Sequence, residues 1–94
     1  MSQPTPTLKC IIAWSERRNL CDLVGQTLAK AGEIESMRLA DEAWIVCTST
    51  EPAELRNLLS TVLDRDESTF VLEFERWSGS GAGVDSSWLL RRGH

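Results

Sequence analysis

The chain has 94 residues, 41% of them hydrophobic and 26% charged, and a formal net charge of −4. A single domain of this size buries only about two-thirds of its unfolded surface, which excludes a two-domain enzyme, a full dinucleotide-binding fold and any barrel enzyme. The acidic balance lacks the global positive field behind non-specific nucleic-acid binding, and no apolar run approaches the roughly 20 residues that span a bilayer.

Residues 1–7 hold Pro4 and Pro6 among small polar side chains. They carry no positive charge and no apolar stretch, so a short tail is expected there and a signal peptide is not. Leu8 to Trp14 (LKCIIAW) is dense in apolar and β-branched residues on both faces, the pattern of a central strand. Ser15 or Asn19 offers a helix start. Leu20, Leu23, Val24, Leu28 and Ala31 then form one apolar stripe, with Gly32 as the stop, which predicts a helix over 18–31.

Ile34 to Leu39 reads as a weaker strand and Ala43 to Thr48 (AWIVCT) as a strong one. The three polar-leaning residues between them predict a hairpin. Pro52 suits the first position of a helix, and Leu55, Leu58, Leu59, Val62 and Leu63 repeat at helical spacing. Thr69 to Trp77 (TFVLEFERW) is the last strand, with Phe70, Leu72 and Phe74 expected to point inward. Ser78 to Gly83 reads as a Gly/Ser linker without the Walker spacing. Asp85 can cap a final short helix or turn, Ser86 to Arg92, that docks Trp88, Leu89 and Leu90.

The order β-α-β-β-α-β predicts an α+β fold. It is a ferredoxin-like two-layer sandwich with a four-stranded antiparallel sheet, two helices on one face, and a short C-terminal helix or turn. The expected organisation is a tail over 1–7, the domain over 8–77, and a linker with a docking segment over 78–94. The second sheet face is expected to be solvated or covered by a partner.

Cys10, Cys21 and Cys47 are odd in number, lack metal-ligand spacing and sit in apolar patterns, so they read as buried thiols in a reducing cytoplasm. His94 is the only histidine and the last residue, frayed or added for purification, and gives neither a catalytic base nor a zinc site. Glu73 and Glu75 alternate on a strand as solubilising carboxylates. Asp64, Asp66 and Glu67 lack the glycine and later glutamate of a calcium loop.

The chain resembles the SinR-like small bacterial proteins. These are relatives of the ferredoxin-fold CRISPR adaptation protein that partners the spacer integrase. The resemblance covers about residues 8–90. It rests on the first strand and a helix ending Ala31-Gly32, on Glu42-Ala43-Trp44-Ile45-Val46, on Pro52 to Leu59, and on Phe70 to Phe74. A Trp, a Gly-rich loop and Ser87-Trp88-Leu89 follow. It implies a homodimer. Nuclease members of the family carry an aspartate after an aromatic residue at the end of the first strand, which holds a metal at the dimer interface. Here Trp14 keeps the aromatic position, Ser15 takes the aspartate position, and Glu16 falls one residue late.

The reading that follows is a non-catalytic homodimeric binding module, engaging a protein partner or nucleic acid, without cofactor, resident metal, membrane or small-molecule substrate. Arg17, Arg18, Trp77, Trp88, Arg91 and Arg92 are its binding candidates: two arginine pairs to grip phosphate and two tryptophans to anchor an interface. The alternative is a magnesium- or manganese-dependent endonuclease with Ser15 and Glu16 as its catalytic candidates. A third reading is an antitoxin-like or inhibitor protein.

Overall fold

The computed structural model describes residues 5–32 and 34–92; Met1 to Pro4 of the expected tail, and His94, lie outside the described residues. The elements are β1 (Thr7–Trp14), α1 (Cys21–Lys30), β2 (Glu35–Ala40), β3 (Ala43–Thr48), α2 (Pro52–Ser60), β4 (Ser68–Glu73) and α3 (Ser86–Arg91). The strands form one antiparallel sheet in the order β2-β3-β1-β4. The two central strands are the two whose sequences are apolar on both sides, as burial on both faces requires.

Alternation along the strands separates two clusters. Ile11, Ala13 and Val46 pack with Leu20, Val24 and Leu28 around α1 and with Leu55 and Leu59 of α2. Leu8, Ile45 and Cys47 point the other way and meet Leu89 of α3, with Phe74, Trp77, Val84 and Trp88 around them. Each such leucine removed from water contributes roughly 1.5–3 kcal/mol. The expectation that the second face lacks cover from its own chain is therefore corrected. The segment after the Gly/Ser stretch folds back, and the Asp85 side chain caps α3 by accepting from the Trp88 N–H at 3.0 Å.

Four local expectations change. The first helix starts at Cys21, not 18, because residues 15–18 form a turn in which the Arg17 N–H donates to Ser15 Oγ at 3.1 Å. Asn19 Oδ1 receives the Cys21 N–H at 2.8 Å just ahead of the helix. The last strand ends at Glu73, because Trp77 turns onto the second cluster instead of extending the ladder. Phe70 is 56% exposed and Trp14 is 41% exposed, since the C-terminal segment covers only one end of their face. Gly32, at φ +76°, takes the left-handed position that stops α1.

Lys9 is an unforeseen interior residue, 2% exposed. Its ammonium donates to Thr48 O and Thr7 Oγ1, both at 2.6 Å, and lies 3.5 Å from Glu73. Three acceptors around one buried charge are what make such burial tolerable.

Candidate functional site

The residues singled out in the sequence fall at two ends of the sheet. At the β1 end, Trp14 leads into the turn Ser15–Asn19. That turn lines a cleft of about 380 Å³ whose other wall is the β2–β3 hairpin, Asp41 and Glu42. Glu16 is exposed and Ser15 half-buried beside it. Among the described residues, no three His, Cys, Asp or Glu side chains come together as metal ligands.

Arg17 and Arg18 do not present a bare basic patch. Arg17 donates to Asp66 through Nε and Nη2 at 2.8 and 2.9 Å, and to Asp64 at 2.8 Å. Arg18 forms a two-pronged pair with Glu67, both contacts at 2.6 Å. The Glu67 carboxylate is fully buried and also accepts the Asp64 N–H at 2.8 Å. The arrangement follows from topology. β1 pairs with β4, Trp14 opposite Ser68, so the turn leaving β1 lies against the acidic loop entering β4. The sequence does show the signal, two arginines after one strand and three acids before its neighbour, but only once the pairing of those strands is known.

These contacts set the local acid–base chemistry. The Arg18 guanidinium, helped by the Asp64 N–H, lowers the Glu67 carboxyl from 4.5 to about 2. Arg17 lowers Asp66 in the same way, and Asp66 in turn raises Arg17. A carboxylate whose pKa falls on folding contributes stability above its unfolded value, and that contribution is lost as pH drops toward the folded value. Glu67→Gln should therefore melt below the wild type at pH 7. The gap should narrow below pH 4.5 and close near pH 2. A gap in melting temperature that stays constant across this range would count against the Arg18–Glu67 assignment.

At the opposite end, Arg92 donates to Glu35 at 2.6 Å and lies over the Trp88 ring, 4.0 Å from its centroid. Arg91 is exposed. Glu35 pairs with Cys47, which in turn pairs with Leu8, so Arg92 sits beyond the start of β1 and Arg17 beyond its end. The separation is on the order of 20 Å along the strand. A β-strand's length thus keeps the two arginine pairs apart. Trp77 and Trp88 pack into the second cluster. Burial pushes the Cys10 and Cys47 thiols up, which keeps them from acting as thiolate nucleophiles.

Exposed apolar side chains meet on the β4 side of the sheet. Ile12 and Phe70 are directly paired, as are Cys10 and Leu72, and Trp14 follows Ile12 on the same face. These side chains form a strip along β4, the outer strand on that side of the sheet. A groove of about 320 Å³, lined by Pro52, Ala53, Arg56, Thr69, Phe70 and Val71, runs along the same edge beside α2.

No family model, no curated protein and no solved structure matches this chain. Among the described residues, no helix is long and apolar enough to cross a membrane.

Proposed function

We propose that the chain is a non-catalytic, ferredoxin-like binding module that works as a two-fold dimer, with a second copy of itself paired along β4. The resemblance to the SinR-like proteins implies a homodimer. The observation that carries the reading is the open edge of β4 with an exposed apolar strip beside it. An unpaired strand edge is a template for another chain.

The register follows from the ladder. The Phe74 N–H bonds to Leu8 O, so the backbone groups of even-numbered residues face β1. By alternation, those of Thr69, Val71 and Glu73 face outward. A two-fold axis at Val71 sets Val71 against its counterpart and Thr69 against the second copy's Glu73. On the apolar face it brings Phe70 onto the second copy's Leu72. Arg56 lines the groove next to Thr69 and, among the described residues, pairs with no carboxylate. The axis therefore brings an unpaired guanidinium toward the second copy's Glu73, whose nearest cation within its own chain is Lys9 at 3.5 Å. A six-residue strand alone falls short of the roughly 1,200 Å² a stable interface buries. The groove beside α2 and the strip Ile12, Trp14, Phe70 and Leu72 supply the remainder.

Several features favour binding over catalysis. Ser15 offers a hydroxyl where a hard cation needs a carboxylate. Arg17 and Arg18 are neutralised by Asp64, Asp66 and Glu67, which also disfavours a nucleic-acid partner.

A cysteine at the axis tests the register. Hydrogen-bonded residues opposite each other in an antiparallel pair have Cα atoms about 5.5 Å apart, within disulfide reach. Val71→Cys should oxidise to a covalent dimer in high yield, while Thr69→Cys, set opposite Glu73, should not. Failure of Val71→Cys to cross-link, or equal yields from both, would remove this geometry.

A further inference from the structure

An open strand edge offers the same backbone groups to any strand, so backbone pairing alone does not choose a partner. On β4 the choice falls to side chains. Thr69, Val71 and Glu73 lie on the face that α2 covers, since Val71 packs against the first cluster and alternation sets the other two beside it. Two charged groups stand on this side, each with bonding capacity to spare. Glu73 Oε1 accepts the Thr7 hydroxyl at 2.5 Å and lies 3.5 Å from the Lys9 ammonium, while its Oε2 accepts no hydrogen bond among the described residues. The Thr7 hydroxyl and Lys9 hold this carboxyl below its usual range, so it is ionised at neutral pH. The Arg56 guanidinium lines the groove beside Thr69 and, among the described residues, donates only from Nη2, to Asn57 Oδ1 at 3.2 Å.

The odd-numbered residues of β4 turn their backbone groups outward, so a two-fold axis can fall at Thr69, Val71 or Glu73. An axis at Glu73 sets the two Glu73 carboxylates directly opposite each other. An axis at Thr69 brings the two Arg56 guanidinia together. Like charges so placed are destabilising. The axis at Val71 sets Thr69, with Arg56 beside it, against Glu73, and it does so twice. A parallel pairing in step sets Glu73 beside Glu73 again and loses both contacts.

We propose that Arg56 and Glu73 are the specificity pair of this edge: they admit a second copy of the chain, antiparallel about Val71, and reject slipped pairings, parallel pairings and strands without matching charges. The inference rests on the β4 pairing proposed above and adds what selects the partner. Glu73 Oε2 accepts from the second copy's Arg56, while Oε1 stays with Thr7 and Lys9. An attraction in one arrangement combined with repulsion in its neighbours is how specific interfaces exclude near alternatives.

Sedimentation of charge-altered copies at low salt tests the pair. An ion pair of this half-exposed kind is worth about fivefold in affinity, and each dimer holds two, so Arg56→Gln should weaken the dimer about 25-fold. Arg56→Lys, which keeps the charge, should weaken it much less. Arg56→Glu sets a carboxylate against each Glu73 and should weaken it beyond Arg56→Gln. Mixed with Glu73→Gln, Arg56→Glu should form a heterodimer about fivefold tighter than the Glu73→Gln dimer, because one Arg56–Glu73 contact returns and no like pair remains. If Glu73→Gln does not fold, for want of the carboxylate beside Lys9, the comparison of Arg56→Gln with Arg56→Lys decides, since Arg56 is exposed. The inference is overturned if the wild type dimerises and Arg56→Gln pairs as tightly, or if the mixed copies pair no better than either alone. A wild type that stays monomeric overturns the β4 pairing itself, and this inference with it.

Discussion

Replacing Leu89 by alanine should destabilise the fold by about 3 kcal/mol, whereas Leu90→Ala should stay within about 0.5 kcal/mol of the wild type. The two residues are neighbours on a six-residue helix, and their environments are opposite. Leu89 is 4% exposed and closes the cluster of Leu8, Ile45 and Cys47, while Leu90 is 61% exposed. Removing the Leu89 side chain both loses its transfer free energy and leaves a cavity beneath α3. α3 is far too short to be helical on its own in water, so its order depends on this contact. Urea unfolding of the two variants at one protein concentration gives the comparison. Equal midpoints would mean that the C-terminal segment is not part of the folded unit.

Phe70→Glu should leave the fold of each copy intact and raise the dimer dissociation constant by at least about 100-fold, or about 2.8 kcal/mol. Phe70 is 56% exposed in the single chain, so a charge there meets water and costs little. In the proposed dimer it lies against Leu72 of the second copy and above Ile12, where a carboxylate has no partner. The interface is two-fold, so each substitution acts twice. Leu90→Glu, on α3 away from β4 and 61% exposed, should have a much smaller effect. Similar losses from both would point to general charge repulsion in place of the specific packing described.

Much of the sheet was legible because its central strands are written differently from its edges. Leu8 to Trp14 and Ala43 to Thr48 are apolar on both faces, and β1 and β3 do lie at the centre. The helices were legible from their leucine stripes, since Leu28, Leu55 and Leu59 are all completely buried. What failed was anything that depends on contacts distant in sequence. The alternation in Phe70-Val71-Leu72 marks two faces but not how far each is covered. That depends on where a segment after a featureless Gly/Ser stretch comes to rest. Likewise the arginines at 17 and 18 read as free charge. Their carboxylates are 47–49 residues away and arrive only through the β1–β4 pairing. Lys9, flanked by Leu8 and Cys10, interrupts an apolar run. Its burial depends on Thr48 O and Glu73 from two other strands, which no local pattern announces.

The acidic loop before β4 illustrates the same point. Considered alone, Asp64, Asp66 and Glu67 are an incomplete cation loop. In the fold they are counter-charges that fasten the turn after β1. This fastening fixes the turn that follows Trp14, which stands at the end of the apolar strip beside β4. It also accounts for a net acidic protein with two adjacent arginines that offers little positive surface at that end.

Sedimentation equilibrium of the wild-type chain, from about 1 to 100 µM, tests the central claim most directly. Pairing along β4 predicts a species of twice the 10.5 kDa chain mass that dominates at tens of micromolar and dissociates on dilution, with Phe70→Glu remaining a monomer throughout. A wild-type chain that sediments as a monomer at every concentration would contradict it.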